Sequence, residues 1–332
     1  MAEPRAVPWR EAWHAALYGP RGAYRSPTGP AGIFTTSTHG ALGPVLAEAL
    51  GLLADREAAV RVVDVGAGRG ELLHALHRLR PDLHLTGLDV VDRPEGLPAA
   101  VDWLRSPGGP DLPDTLRNLD DVLVVAHEWL DVVPCAVLEV DVEGGLAEVL
   151  VDPTTGEETL GGPPHDDDLD WCARNWPVDG LPPGTRVEVG ATRDRAWGDL
   201  VGRVRRGTLL AVDYGHDRDR RPVHGTLTGY RAGEVVAPVP DGSCDITAHV
   251  ALDTLDTDEV LTQRTAFHTL GLRAGTPPHE LSRTDPAGYL AALSRSSTLA
   301  ALTDPAGLGG FAWALRRVGP GRSETAGRAG TM

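Results

Sequence analysis

Residues 60–80 constrain the fold more than any other stretch of the chain. Val60 to Val65 is a short apolar run bounded by polar residues, as a strand buried on both faces requires. It leads straight into Gly66-Ala67-Gly68-Arg69-Gly70, where glycines let the backbone turn sharply and approach a ligand without Cβ clashes. Glu71 to Arg80 then places Leu72, Leu73, Leu76 and Leu79 on one helical face, and Pro81 ends it. Leu83 to Leu88 reads as a second strand closing on Asp89. Val101–Leu104, Val122–Ala126 and Thr208–Val212 continue the series. Strand, helix, strand in this rhythm predicts an α/β protein with a doubly wound, mostly parallel, Rossmann-like sheet.

The rest of the chain is arranged around that core. Trp9–Leu17 and Ala41–Ala54 read as helices, with a turn-rich stretch from Tyr18 to Gly32 between them. Val137–Val142 and Ala147–Val151, split by Glu143-Gly144-Gly145, read as a β-hairpin. The expected organisation is a helical cap over 1–57 and a ligand-binding core over 58–135 and 206–216. An inserted α+β region over 136–205 and a C-terminal part of the catalytic fold over 217–318 complete it. Residues 319–332 read as a disordered tail.

Composition removes several chemistries. All 31 basic residues are arginine, so a P-loop lysine, a Schiff base and pyridoxal chemistry are excluded. Cys135, Cys172 and Cys244 form no CxxC pair, and the 12 histidines show no HxxxH or HExxH spacing, so no metal site is expected. A net charge of −16 argues against nucleic acid as a partner. No apolar run is long enough for a membrane helix, and Met1–Arg10 does not read as a signal peptide, so the expected location is cytoplasmic.

The glycine turn identifies a ligand class. Behind it, a helix N-terminus offers free N–H groups and the positive end of a dipole. A dinucleotide fingerprint reads G-x-G-x-x-G, but here the spacing is G-x-G-x-G and Glu71 stands where the third dinucleotide glycine would be. An acid there opposes a pyrophosphate and suits S-adenosylmethionine, which carries a sulfonium and an ammonium group. Asp64, Gly66, Ala67, Gly68 and Gly70 are therefore expected cofactor contacts. Asp89, 19 residues after Gly70, is positioned to accept both ribose hydroxyl protons. Asp102 and Trp103, read as the third strand's end, are expected at the adenine, by hydrogen bond and by packing.

Ala126-His127-Glu128-Trp129-Leu130-Asp131-Val132-Val133-Pro134 follows the fourth strand. Ligands in open α/β sheets bind beyond the strands' carboxyl ends, so His127, Glu128 and Asp131 should border the cleft, His127 on the cofactor. A helical turn would put Glu128 and Asp131 on one side, where a carboxylate pair can orient and balance a guanidinium methyl acceptor. They are the candidate catalytic residues.

Several segments together resemble the MidA family of methyltransferases, whose mitochondrial relatives assist assembly of respiratory complex I. Tyr18-Gly-Pro20-Arg-Gly22-Ala-Tyr24 and Gly32-Ile-Phe34-Thr-Thr36-Ser37 look like its opening signature, and Val62–Leu72 like its cofactor loop. Glu128, Asp131 and Pro134 match its Asn-Glu-Phe-x-Asp-Ala-x-Pro segment. Asp213-Tyr214-Gly215, Gly225-Thr226-Leu227 and Asp245-Ile246-Thr247-Ala248-His249-Val250 match later blocks in order. The chain departs from the pattern at Ile33, Thr38, His39, His127 and Val132.

The resemblance implies a Rossmann-like class I methyltransferase and adds Thr36 to the expected cofactor contacts. It also implies methylation of an arginine on a complex I subunit. A small-molecule methyltransferase, a catalytically silent S-adenosylmethionine-binding assembly factor and, less well supported, a dinucleotide oxidoreductase are the alternatives. The glycine spacing separates the last: calorimetry is expected to show heat with S-adenosylmethionine and none with NAD. The reverse would remove the cofactor assignment.

Overall fold

Successive residues of the central strands enter different cores. Val122, Val124 and Ala126 pack with Val63, Val65, Leu209 and Ala211 on one side. Leu123 and Val125 pack with Val62, Leu210 and Val212 on the other. All of these residues are fully buried, as a sheet covered on both faces requires.

The computed structural model describes residues 6–25, 38 and 40–319. The N-terminal part holds α1 (Trp9–Tyr18) and α2 (Leu42–Arg56). Then come β1 (Arg61–Val65), α3 (Glu71–Leu79), β2 (His84–Asp89), β3 (Val101–Arg105) and β4 (Leu119–His127). An accessory stretch contributes β5 (Val137–Val140), β6 (Leu146–Val151), α4 (Asp166–Asn175) and β7 (Arg186–Glu188). The chain continues through α5 (Ala191–Gly202), β8 (Val204–Asp213), β9 (Asp245–Thr247), β10 (Glu259–Thr262), α6 (Gln263–Thr269), α7 (Pro286–Leu302) and β11 (Ala312–Val318).

Among the described residues, seven strands form the main sheet in the order β10-β11-β8-β4-β1-β2-β3. β8, β4, β1, β2 and β3 run parallel, and β11 lies antiparallel to both β8 and β10. The five strands read from the sequence are all present. β10 and β11 come from the last hundred residues, where the sequence showed only short elements. α2, α3 and α7 cover one face and α5, through Trp197 and Leu200, covers the other. The chain lays β1, β2 and β3 outward in one direction, then returns to place β4 on the opposite flank of β1. Connections leaving β1 and β4 therefore diverge, which opens a cleft at their carboxyl ends.

The hairpin expected between 137 and 151 supplies β5 and β6 of a second, antiparallel sheet with β7, Val7–Pro8 and Glu158–Leu160. Trp9, Trp13 and Leu17 of α1 bury against Val137, Val149, Val151 and Ile246. That packing brings the end of α1 and strand β9 beside the cleft. Residues 320–332 of the expected tail and residues 32–37 of the opening signature lie outside the described residues.

Trp103 sits mid-strand, paired across the sheet with Gly87. Its indole N–H donates to Val91 O at 3.0 Å. A Cβ on Gly87 would come within 2.5 Å of the Trp103 ring and 2.7 Å of Leu73 Cδ1. Gly87→Ala is therefore expected to overpack this core and lower stability by about 1–3 kcal/mol in urea unfolding. An unchanged midpoint would mean the ring has room to move.

Candidate functional site

The glycine turn is built by backbone hydrogen bonds across β1 and β2. Gly66 N and Ala67 N both donate to Leu88 O, at 2.9 and 3.0 Å. Gly66, Gly68 and Gly70 have φ of +74°, +58° and +80°, which only glycine adopts without strain. Gly68 N donates to Asp89 Oδ2 at 2.8 Å, and Val90 N donates to Asp89 Oδ1 at 2.7 Å. Asp89 thus holds the tip of the turn. The Trp129 ring lies where a Gly66 Cβ would meet it at 3.4 Å. Gly70 is the N-cap of α3, with its N–H on Ala67 O at 2.8 Å and Leu97 filling the space where its Cβ would go.

The segment after β4 is a turn and not the helical turn expected over 128–131. Glu128 takes a left-handed φ of +50° and donates its N–H to Val212 O at 2.8 Å. Such a conformation costs a non-glycine residue on the order of 1 kcal/mol and persists where its surroundings fix it. Buried side chains supply the fixing. Asp213 Oδ2 accepts from Leu130 N at 3.0 Å and Asp131 N at 3.3 Å. The fully buried Arg193 donates to Asp131 O, Val133 O and His249 O at 2.9, 3.1 and 2.8 Å. Tyr214 donates to Asp131 Oδ2.

These two segments wall a cleft with about 900 Å³ of empty space, its open mouth included. Among the expected residues, Asp64, Gly66, Ala67, Gly68, Asp89, His127 and Glu128 line it. His127 Nδ1 lies 3.4 Å from Glu128 Oε1. Gly70 shapes the turn from behind. Asp102 and Trp103 are not brought to the cleft. β3 runs on to Arg105, so Trp103 packs on Gly87 and Asp102 is exposed, while Ser106, Gly108 and Gly109 beyond the strand's true end line the wall. Asp131 is buried behind the wall and points its carboxylate at Tyr214, because the turn separates it from Glu128. Thr36 lies outside the described residues. Tyr18, Tyr24 and Trp129 also line the cleft, though the sequence reading gave them no site role.

Burial governs the electrostatics. Asp89 is pushed up to about 6, chiefly by burial, with the Gly68 and Val90 N–H groups opposing. Asp64 is raised well above the ordinary carboxylate range by burial and by Asp89 and Glu71. Asp131 is pushed up to about 6 by burial, with Tyr214 and Arg193 opposing, and Asp213 is raised by burial and further by Asp131 and Glu128. Asp245 is pushed up to about 7 by burial, with Tyr24 opposing and Asp131 adding to it. The described wall carries Asp64, Glu71, Asp89 and Glu128 against one guanidinium, Arg69. Such a wall attracts a cation and repels a pyrophosphate.

The sequence profile of a family described as S-adenosyl-L-methionine-dependent methyltransferase matches residues 41–272. No curated protein matches the chain. Two crystal structures of proteins of one superfamily from Burkholderia thailandensis are similar in fold. The first, bound to S-adenosyl-homocysteine, is 21% identical, covers 95% of this chain and 89% of its own, and superposes with a TM-score of 0.73. The second, a native structure, is 22% identical, covers 94% and 87%, and gives 0.69.

The raised carboxyl groups give stability a definite pH slope. Unfolded, they ionise near 3.8; folded, they hold protons to higher pH, Asp245 to about 7. The native state then binds more protons, so stability falls as pH rises through the folded values. His216, lowered to about 4, and His249, also lowered, act in the opposite sense, but only below the ordinary histidine value of 6.5. Between pH 6.5 and about 8 the free energy of unfolding in urea is expected to fall, and Asp245→Asn is expected to flatten the slope. A rise over that interval would contradict the assignment of buried, protonated carboxyls.

Proposed function

Since the chain belongs to the family of S-adenosyl-L-methionine-dependent methyltransferases, we propose that the cleft at the β1–β4 reversal is its cofactor and methyl-transfer site. The observation that carries this reading is the wall itself: a glycine turn backed by a helix N-terminus, with carboxylates outnumbering cations. Asp89 holds the ribose hydroxyls. The turn from Gly66 to Gly68 lets the cofactor approach the backbone, and Asp64 with Glu128 and His127 faces its cationic portion. Gly108 and Gly109, at the end of β3, take the adenine side that the sequence reading gave to Asp102 and Trp103.

When bound, S-adenosylmethionine supplies an electrophilic methyl group on a sulfonium. The protein's work is to align an acceptor lone pair with it and exclude water. Glu128 is the carboxylate suited to meet the acceptor, since it reaches the cleft while Asp131 is engaged by Tyr214 behind it. Asp131 then acts as a positioning residue. By resemblance, and because Glu128 offers a negative partner, the acceptor proposed is an arginine guanidinium on a protein.

Asp89→Ala removes the acceptor for Gly68 N–H and for the ribose, and a lost charge-assisted hydrogen bond costs roughly 1.5–3 kcal/mol. The dissociation constant for S-adenosylmethionine is therefore expected to rise about ten- to a hundredfold by calorimetry. A change under about threefold would remove the role. Glu128→Gln keeps the shape and loses the charge. It is expected to keep cofactor affinity and lose most turnover, as an interaction made with the acceptor does. Weakened cofactor binding would make Glu128 a cofactor ligand instead. Tritiated S-adenosylmethionine with lysate from cells lacking the chain, followed by acid hydrolysis, tests the acceptor. Label outside methylarginine would overturn the guanidinium assignment and leave the cofactor site standing.

A further inference from the structure

Tyr24 and Asp245 form a pair at the cleft that neither holds the glycine turn nor fixes the segment after β4. Tyr24 lines the cleft, and its hydroxyl donates to Asp245 Oδ1 at 2.6 Å. Ile246 N donates to the same oxygen at 2.9 Å. Asp245 is fully buried, and its Oδ2 has no hydrogen-bond partner among the described residues. The two observed hydrogen bonds need only one acceptor oxygen, which an uncharged asparagine would offer. A carboxylate at such a position is otherwise costly to bury. The titratable groups facing it are Tyr24 in the turn after α1, Tyr18 on α1, Asp131 after β4, Tyr230 on the strand paired with β9, and Cys244 next to it in the chain. Asp131 adds to that cost, and the Tyr24 hydrogen bond lowers it. Arg193, which opposes Asp131 and the Tyr18 phenolate, is the guanidinium on that side.

We propose that Tyr24 and Asp245 are the exit for the proton that the methyl acceptor loses, a proposal that rests on the cleft being the S-adenosylmethionine site. As the acceptor nitrogen bonds to the methyl carbon, the sulfonium–carbon bond breaks with its electron pair going to sulfur, and the nitrogen must shed a proton. That proton passes to the Tyr24 oxygen while the proton already on Tyr24 moves along the 2.6 Å hydrogen bond to Asp245, which becomes neutral. Tyr24 never ionises, which matters because burial and Asp245 hold its pKa well above the ordinary phenol value. Asp245, held at about 7, is ready to receive a proton at neutral pH and to release it to solvent afterwards. Tyr24 is the group touching the acceptor, and Asp245 acts through it.

Two variants and two readouts test this. The first readout needs only the cofactor. Calorimetry of S-adenosylmethionine binding in buffers of different ionisation enthalpy counts the protons released. A cation in the cleft favours ionised Asp245, so the unmodified protein is expected to release protons most strongly near pH 7. Asp245→Asn is expected to lose that component. Tyr24→Phe, which removes a hydrogen bond favouring the carboxylate, is expected to move the maximum to higher pH. The second readout is methyl transfer from tritiated S-adenosylmethionine to lysate protein. Both variants are expected to slow it about a hundredfold or more, the usual contribution of positioned proton transfer. Their cofactor dissociation constants are expected to stay within about threefold.

Identical proton release in all three proteins overturns the proposal even if no lysate protein is labelled. So does transfer kept within a few-fold in Tyr24→Phe, or cofactor affinity weakened more than about tenfold in that variant, which would make Tyr24 a cofactor ligand. If the unmodified protein binds no S-adenosylmethionine, the reading of the cleft itself fails, a result visible before any variant is made.

Discussion

Where β4 and β8 end side by side, the chain must run a buried, irregular segment between two hydrophobic cores; Asp213 accepts hydrogen bonds from its backbone and Arg193 donates to it. A buried segment without secondary structure leaves N–H and C=O groups that water cannot reach, each costly if unpaired. Asp213 takes the N–H groups of Leu130 and Asp131, and Arg193 takes the carbonyls of Asp131, Val133 and His249. One side chain comes from the end of β8 and the other from α5, so strand and helix packing together fix the segment. Its rigidity is what allows Glu128 to remain in a left-handed conformation with its carboxylate at the cleft.

The same arrangement gathers buried acids whose ionised forms are costly. Asp131, Asp213 and Asp245 are all buried, with Arg193 opposing at the first two; burial raises the proton affinity of each, and Asp131 raises that of Asp213 and Asp245 further. Packing alone does not call for this, since burying like charges works against folding. On the proposed reading, a cationic cofactor offsets it: the field that is unfavourable in the free protein favours a sulfonium at the cleft. Burial keeps that field strong, because little water is present to screen it.

The parts of this site legible in the sequence are those fixed by local geometry. The glycine turn, its strand and helix, and Asp89 lie within a short span, and their spacing alone determines who meets whom. Asp102 and Trp103 were misplaced because the apolar run of the third strand fades at Leu104, while the backbone stays extended to Arg105 and the wall begins at Ser106. Glu128 and Asp131 were read as helical neighbours from their spacing. The Asp213 and Arg193 hydrogen bonds that make the segment a turn come from residues distant in sequence, and no local pattern announces them. Tyr24 and Asp245, 221 residues apart, are an extreme case. Each stood within a recognisable segment, yet neither shows its partner until α1 packs against β9. The antiparallel strands β10 and β11 were missed for a similar reason: antiparallel pairing is set by the partner, and their short runs do not stand out alone.

Which part of the chain supplies which wall bears on how the site works. The glycine turn, Asp89 and the Ser106–Gly109 stretch all follow parallel strands of the main sheet, so their positions depend on the β1–β2–β3 register. Tyr18 and Tyr24 come from α1 and the turn after it, and Asp245 from β9, elements held by the hydrophobic cluster that α1 shares with the second sheet. Glu128 lies at the junction, its N–H on β8 and its chain continuing through Val132 and Val133 toward β5. The two halves of the cleft therefore rest on different cores. Loosening the α1 packing would displace Tyr24 and Asp245 while leaving the glycine turn and Asp89 in register. On the proposed reading, affinity for the cofactor and handling of the acceptor are separable in such an architecture, because different sets of buried contacts fix the groups responsible for each.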